Sequence, residues 1–209
     1  MKPDMQTEPA KPNRRDLQKE ETRRLILQSA YALFQQHGYE ATTMRQLAAH
    51  CGVGLGTLFK HFPDKPAILV ATFEDDIGTA LTSAFNSLPK KNLHKQLRHV
   101  LSGIYSYYAK NQAFSQVLVK ESLFLTGAAG QIIHAQTMAF LEQISALFAA
   151  AAHRDEIAPI TDPMEVTLSF WSFYLLGLTV GLRETSFDVA SQVDLVSTLL
   201  QAHYPLLKK

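Results

Sequence analysis

The chain has 209 residues, 46% of them hydrophobic, so it can bury a substantial core in one large or two small domains. A formal net charge of +1 excludes a protein that binds polyanions through overall charge alone, and the single cysteine, Cys51, excludes an intrachain disulfide. The charge is uneven, because residues 1–65 carry 10 Lys and Arg against 7 Asp and Glu, whereas residues 66–209 carry 10 against 12. This asymmetry suits a chain whose first part faces nucleic acid.

Residues 1–19 are polar, contain three prolines and show no apolar period, so we predict a flexible tail there. A basic run leads from this tail into the first helix: Arg14, Arg15, Lys19, Arg23 and Arg24. The run is either a solvated segment or an arm that contacts phosphate or the minor groove of DNA. The first helix is predicted from Thr22 to Gly38, with one apolar face: Ile26, Ala30, Leu33 and Phe34.

Residues 41–65 predict two short helices joined by a tight turn. Thr43 and Gln46 have the spacing of a capping box, and Gly52 can adopt the positive φ that the turn requires. The second short helix begins near Leu55 and buries Leu58 and Phe62. Pro63 ends it, and Asp64 can cap the next helix. A helix pair of this shape can place its second helix in the major groove of DNA.

The remainder of the chain shows helical periodicity and no strand pattern, so the predicted fold class is all-α. Helices are predicted at 66–88, 93–109, 114–125, 131–152, 163–182 and 186–204, with a surface loop at 153–162. Val166 to Leu182 lacks charge over 17 positions, which fits either a short membrane span or a buried helix. Its serines, threonines and two glycines favour the buried helix.

Residues 20–70 resemble the DNA-binding domain of the TetR/AcrR family of transcriptional regulators. The matching positions are a first helix that ends in Gly38, then Tyr39, Thr42-Thr43, Arg45-Gln46-Leu47-Ala48, Gly52-Val53, Gly56-Thr57-Leu58-Phe59, His61-Phe62 and Asp64-Lys65. The resemblance implies a three-helix domain with a helix-turn-helix at 20–65 and a helical ligand-binding and dimerisation domain at 66–209.

This resemblance, together with the exposed faces of the short helices, predicts a set of DNA contacts: Thr42, Thr43, Arg45, Leu55, Gly56, Thr57, Phe59, Lys60, His61 and Lys65. Backbone N–H groups at the start of the first short helix favour phosphate, and Leu55 could meet a thymine methyl group. The resemblance implies that Lys65 binds the DNA backbone. Two positions depart from the family pattern: Phe59 replaces a phosphate-binding tyrosine, and Gly54 replaces a capping serine.

The last two helices are rich in apolar residues, and the resemblance implies that they form a four-helix interface between two subunits. The predicted interface residues are Leu168, Trp171, Leu175, Gly177, Leu178, Gly181, Val189, Val193, Val196 and Leu200. Gly177 and Gly181 are four residues apart, a spacing that permits close backbone approach. A dimer also fits a helix-turn-helix protein that reads two half-sites.

The C-terminal domain is rich in aromatic residues, which either pack as ordinary core or line a small-molecule pocket. Tyr108, His134 and Tyr174 are the predicted ligand-binding residues, and the expected ligand is an apolar or aromatic small molecule. Neither a cofactor nor a metal is predicted.

The sequence thus predicts a ligand-responsive repressor that binds a pseudo-palindromic operator as a homodimer in the cytoplasm. A cytoplasmic location is expected because the chain has one cysteine and lacks the apolar core of a signal peptide. An activator, or a regulator without ligand, remains open. An enzyme is disfavoured because the chain lacks the motifs of metalloproteases, serine hydrolases and phosphate-binding loops. Partner recognition without DNA binding is a further alternative.

Overall fold

The computed structural model of the chain describes residues 13–157 and 162–203, with Asp75 and His203 described by their backbone alone. The described residues form nine helices and no strand, which confirms the all-α prediction. Two compact units divide between Ile68 and Leu69. This division lies three residues beyond the predicted domain boundary at 65/66.

The first unit contains α1 (Arg14–His37), α2 (Met44–His50) and α3 (Leu55–His61), followed by the first turn of α4 (Lys65–Asn86). Apolar side chains from each of these helices form its core: Ile26, Ala30, Leu33, Phe34, Tyr39, Leu47, Ala48, Leu58, Phe62 and Ile68. The helical spacing of the apolar residues in the sequence is what places these side chains on the inner faces.

Helix α1 begins at Arg14, not at the predicted Thr22. The Asn13 side chain caps it by accepting hydrogen bonds from the backbone N–H groups of Arg15 and Asp16, at 2.9 and 3.0 Å. The predicted tail is therefore wrong for residues 14–19, whose exposed turns carry no apolar period by which sequence could detect them. Residues 1–12 of that tail lie outside the described residues.

The turns of the first unit have the predicted chemistry. Thr43 and Gln46 form a capping box in which each side chain accepts a hydrogen bond from the other residue's backbone N–H. Gly52 has φ +70° in the turn between α2 and α3. The Asp64 carboxylate accepts from the Ala67 N–H at 2.8 Å and caps α4.

The second unit contains the rest of α4 and five further helices: α5 (Leu93–Lys110), α6 (Gln112–Ser122), α7 (Gly127–His153), α8 (Pro163–Arg183) and α9 (Val189–His203). Helix α8 packs against both α7 and α9, and α5 also packs on α9. The centre of the unit is made of aromatic and branched side chains from these helices: Leu101, Ile104, Tyr105, Phe140, Ile144, Phe148, Phe170, Tyr174 and Val196.

Three helix starts in the second unit differ from the predicted ones by two to four residues, and side-chain caps account for two of them. Asn111 caps α6, so this helix starts before the predicted residue 114. Asp188 accepts from the Ala190 and Ser191 N–H groups, so α9 starts after the predicted residue 186. Helix α7 begins at Gly127, ahead of the predicted residue 131. Residues 158–161 of the predicted loop and the predicted end of α9 at residue 204 lie outside the described residues.

Helix α8 is, among the described residues, the one helix that is long and apolar enough to cross a membrane by length and composition. Core helices of soluble proteins pass the same test. Phe170, Tyr174, Leu178 and Leu182 of α8 are buried inside the unit. This burial supports the sequence interpretation of a core helix.

Candidate nucleic-acid interface and ligand cavity

Helix α3 has one buried face and one exposed face, as predicted. Leu58 and Phe62 are 0% and 3% exposed, which orients the helix on the core of the first unit. On the opposite side, Thr57 and Lys60 are exposed, and Phe59 is 47% exposed. An exposed aromatic ring next to a lysine is a surface that can contact a sugar-phosphate backbone.

The remaining predicted contacts on α3 lie at its two ends. Gly56 is exposed, and a Cβ placed on it would meet no atom within 4 Å, so another backbone can approach closely there. Leu55 and His61 are half-buried. Gly54 caps the helix without a side-chain hydrogen bond, which is the consequence expected from the missing serine.

Helix α2 presents a second cationic position. Arg45 is exposed in its first turn, and Thr43 is exposed at its N-cap. Thr42 is different, because it is 2% exposed and its hydroxyl donates to the Gly38 carbonyl at 2.8 Å. The predicted DNA contact of Thr42 is therefore wrong: the side chain fixes the turn between α1 and α2 instead.

Lys65 is also held inside the first unit. Its ammonium donates to the carbonyls of Tyr39 and Glu40, at 2.8 and 3.3 Å, and lies 4.2 Å from the centre of the Tyr39 ring. These contacts tie the start of α4 to the turn that follows α1. They use two of the three N–H donors of the ammonium, so Lys65 has a structural role in the first unit, and its contact with the DNA backbone stays a prediction.

Basic residues of α1 lie next to the end of α3, which the sequence did not reveal. The Arg23 guanidinium lies 4.8 Å from the centre of the Phe62 ring. Burial and the positive charges of Lys19 and Arg23 lower the pKa of His61 below its usual value, with a smaller opposing effect of Glu20. The four-residue spacing of Lys19 and Arg23 places both on one helix face, and this was the available sequence signal.

The second unit contains a cavity of about 320 Å³. Helices α4 to α8 line it, mainly with apolar side chains: Ile77, Leu81, Ile104, Leu118, Val119, Leu123, Leu125, Ile133, Phe140, Trp171, Leu175 and Leu178. The three predicted ligand-binding residues, Tyr108, His134 and Tyr174, all lie on its wall. The two tyrosines are buried, whereas His134 is exposed, so His134 belongs to the rim.

Three buried tyrosines, Tyr105, Tyr108 and Tyr174, lie at or next to this cavity. The Tyr105 hydroxyl donates to the Tyr174 backbone carbonyl at 2.8 Å, and the rings of Tyr105 and Tyr174 stack with their centres 5.6 Å apart. Burial raises the pKa of all three phenols, so they stay protonated. Trp171 stacks on Tyr174, with ring centres 5.0 Å apart.

The predicted dimer interface needs correction. Six of its residues are buried by contacts within one chain: Gly177, Leu178, Gly181, Val193, Val196 and Leu200. A Cβ on Gly177 would lie 2.6 Å from the Tyr105 hydroxyl oxygen, so this glycine admits α5 and α9 of its own chain. Trp171, Leu175 and Leu178 line the cavity. Of the predicted interface residues on α8, Leu168 is exposed, and Leu176 is a further exposed leucine on that helix.

Comparison with known proteins gives one family match and several relatives. The family model of bacterial regulatory proteins of the tetR family matches residues 26–72. The HTH-type transcriptional repressor KstR of Rhodococcus jostii is 27% identical over 182 residues, which cover 86% of this chain and 82% of the relative.

Two solved structures resemble the fold. Thermus thermophilus FadR, a TetR family repressor in complex with lauroyl-CoA, has a TM-score of 0.70 and 18% identity, covering 85% of this chain and 92% of its own. AibR, in complex with isovaleryl coenzyme A and operator DNA, has a TM-score of 0.61 and 21% identity, covering 88% of this chain and 99% of its own.

Proposed function

The chain belongs to the TetR family of DNA-binding transcriptional regulators, and we propose that it is a repressor that binds a pseudo-palindromic operator as a homodimer and releases it when a small molecule enters the cavity. The observation that carries this proposal is the orientation of α3. Leu58 and Phe62 hold the helix on the core, so Thr57 and Lys60 face outward.

The proposed DNA contacts combine phosphate binding with groove reading. Arg45 and Lys60 neutralise phosphates, and Thr43 adds a contact at the start of α2, where helix N-termini favour anions. Gly56 and Thr57 enter the major groove, with Leu55 positioned for a thymine methyl group. Phe59 contributes only van der Waals contact, because its ring has no hydroxyl to donate to a phosphate. His61, the last residue of α3, is the remaining proposed DNA contact.

The proposed binding to a pseudo-palindromic operator requires a dimer. A helix-turn-helix dimer reads two half-sites about 34–36 Å apart, which gives the operator its two-fold symmetry. Leu168 and Leu176 are 51% and 45% exposed on α8, and they are the apolar side chains through which we place the contact with a second copy. The similar AibR structure contains operator DNA, in keeping with this class of function.

The cavity is the proposed effector site. FadR binds lauroyl-CoA and AibR binds isovaleryl coenzyme A in structures of similar fold. Ile77 and Leu81 of α4 line the cavity of this chain, and α4 begins at Lys65, directly after α3 and its connecting turn. A ligand that prefers a different tilt of α4 would change the separation of the two recognition helices and lower operator affinity.

The test is binding of the full-length protein to the DNA upstream of its own gene, measured by fluorescence anisotropy. Lys60→Ala should weaken binding and reduce the slope of log K against log salt concentration by about 1, because one phosphate contact is lost. Lys90→Ala is the matched control, since Lys90 is also exposed but lies in the second unit. Equal affinity and slope for both variants would refute the assignment of α3.

The oligomeric state and the sign of regulation need separate measurements. Light scattering should give twice the chain mass, and Leu168→Glu with Leu176→Glu should shift it toward the monomer. A reporter driven by the bound promoter should be repressed. Activation of the reporter would favour an activator, the alternative that the sequence left open. We expect the protein to act in the cytoplasm, where its DNA is, and not as an enzyme, since the matched relatives are regulators.

A further inference from the structure

The cavity has one polar region deep inside an otherwise apolar wall. Tyr108 and Tyr174 are 9% and 4% exposed and supply this region, whereas His134 is at the exposed rim. Ser122, Gln136 and Thr137 also line the cavity. The Ser122 hydroxyl donates to the Val119 carbonyl, and the Gln136 amide donates to the Glu74 carbonyl, so both are already engaged.

The tyrosine pair has one more donor than its contacts use. Each phenol carries one O–H hydrogen, so the pair has two. A hydrogen bond between the two hydroxyls would use at most one of these, and the Tyr174 carbonyl receives its bond from Tyr105, not from this pair. Among the described residues, the structure gives the second hydrogen no acceptor. A buried donor without a partner costs free energy that a ligand acceptor would recover.

Apart from His134 at the exposed rim, the described residues that line the cavity offer an anion no basic side chain. No Lys, Arg, Asp or Glu is among the described residues that line it. A carboxylate or phosphate moved into this apolar space would lose its hydration without gaining a cation. The volume of about 320 Å³ is near the lower end of the range of small-molecule sites, about 300–1,000 Å³. The site therefore favours compact, uncharged molecules.

We infer that the effector is a compact, neutral, mainly hydrocarbon molecule whose carbonyl or ether oxygen accepts a hydrogen bond from the Tyr108–Tyr174 pair. The inference rests on the proposed effector function of the cavity and adds the chemical class of the ligand. It separates this chain from a regulator whose cavity binds a carboxylate or a charged thioester conjugate.

Three matched probes test the class: 2-indanone, indane and indane-2-carboxylate. They share one bicyclic skeleton and differ in the oxygen acceptor and in charge. Affinities are measured by isothermal titration calorimetry on the full-length protein. Trp171 is the sole tryptophan and lines the cavity, so a change in its fluorescence on adding indane reports where binding occurs. The expected order is 2-indanone at least tenfold tighter than indane, and indane-2-carboxylate weaker than both.

A double variant, Tyr108→Phe with Tyr174→Phe, assigns the ketone preference to the hydroxyl pair. It removes both hydroxyls and keeps both rings, so the tenfold ratio between 2-indanone and indane should fall to about one while indane affinity is kept. Tyr31→Phe is the control, because Tyr31 lies on α1 in the first unit. If the double variant has lost its fold, which far-ultraviolet circular dichroism would show, the single Tyr108→Phe and Tyr174→Phe variants must each lower the ratio.

Several results would overturn the inference. These are tighter binding of indane-2-carboxylate or lauroyl-CoA than of 2-indanone, a ketone preference that survives without both hydroxyls, or no response of Trp171 to any probe. Operator binding measured on the same samples separates this inference from the proposed function. Intact operator binding with any of these results refutes only the ligand class, whereas loss of operator binding with an intact ketone preference refutes only the regulatory role.

Discussion

Replacing Lys65 with methionine tests whether this residue stabilises the first unit or binds DNA. Methionine keeps most of the side-chain volume and removes the ammonium, which donates to the carbonyls of Tyr39 and Glu40. The shorter of these hydrogen bonds, at 2.8 Å, is expected to contribute about 1.5–3 kcal/mol because its donor is charged, and the contact of the ammonium with the Tyr39 ring about 0.5–1 kcal/mol. Since Lys65 is half-buried, solvent screening places the sum near the lower end. We expect a loss of about 2 kcal/mol.

Hydrogen exchange of the full-length protein measures this loss of stability in the first unit itself. The sole tryptophan lies in the second unit, so its fluorescence does not report on the first. The most protected amides of residues 26–62 should exchange about thirtyfold faster in Lys65→Met, because 1.4 kcal/mol corresponds to a factor of ten. Lys60→Met is the matched control, and its exchange should equal that of the native protein.

DNA binding should show the opposite pattern. The salt slope of operator binding should fall by about 1 for Lys60→Met and stay unchanged for Lys65→Met. A reduced slope for Lys65→Met together with native exchange rates would refute the reasoning. In that case the ammonium would leave the two carbonyls and bind phosphate, as the family resemblance implied.

Three further outcomes are expected. Phe59→Tyr should tighten operator binding about fivefold in anisotropy titrations without changing the melting temperature, because an added phosphate hydrogen bond contributes about 1 kcal/mol. Unchanged affinity would show that the ring does not contact DNA. Gly177→Ala should destabilise the second unit by about 1–3 kcal/mol in thermal unfolding, because its Cβ would lie 2.6 Å from the Tyr105 hydroxyl oxygen. Gly56→Ala is the control and should not destabilise the protein, because a Cβ at Gly56 meets no atom within 4 Å. The pKa of His61 is lowered from 6.5 in the folded protein, so the unfolded state binds the proton first and the free energy of unfolding should decrease as the pH falls below about 6.5. His61→Gln should weaken this decrease in denaturant titrations, and an identical pH profile would contradict it.

The sequence alone determined the features that depend on local spacing. The burial of Leu58 and Phe62 and the exposure of Thr57 and Lys60 follow from 3.6 residues per turn, because neighbours on one helix fix each other's direction. The capping box of Thr43 and the turn at Gly52 follow from residue chemistry over a few positions. The family resemblance added the expectation of DNA binding, which local spacing by itself only permits.

Only the tertiary structure decided which polar and small residues are used inside the chain. Lys65 reaches the carbonyl of Tyr39, which is 26 residues earlier, and Gly177 accommodates a hydroxyl from α5. Such contacts join distant segments, so no periodicity records them. The cavity is likewise lined by five helices. The types of Tyr108, His134 and Tyr174 suggested ligand contacts, but their place on the cavity wall could not be read from the sequence. Packing therefore fixed the site, because the space that side chains leave depends on every helix around it.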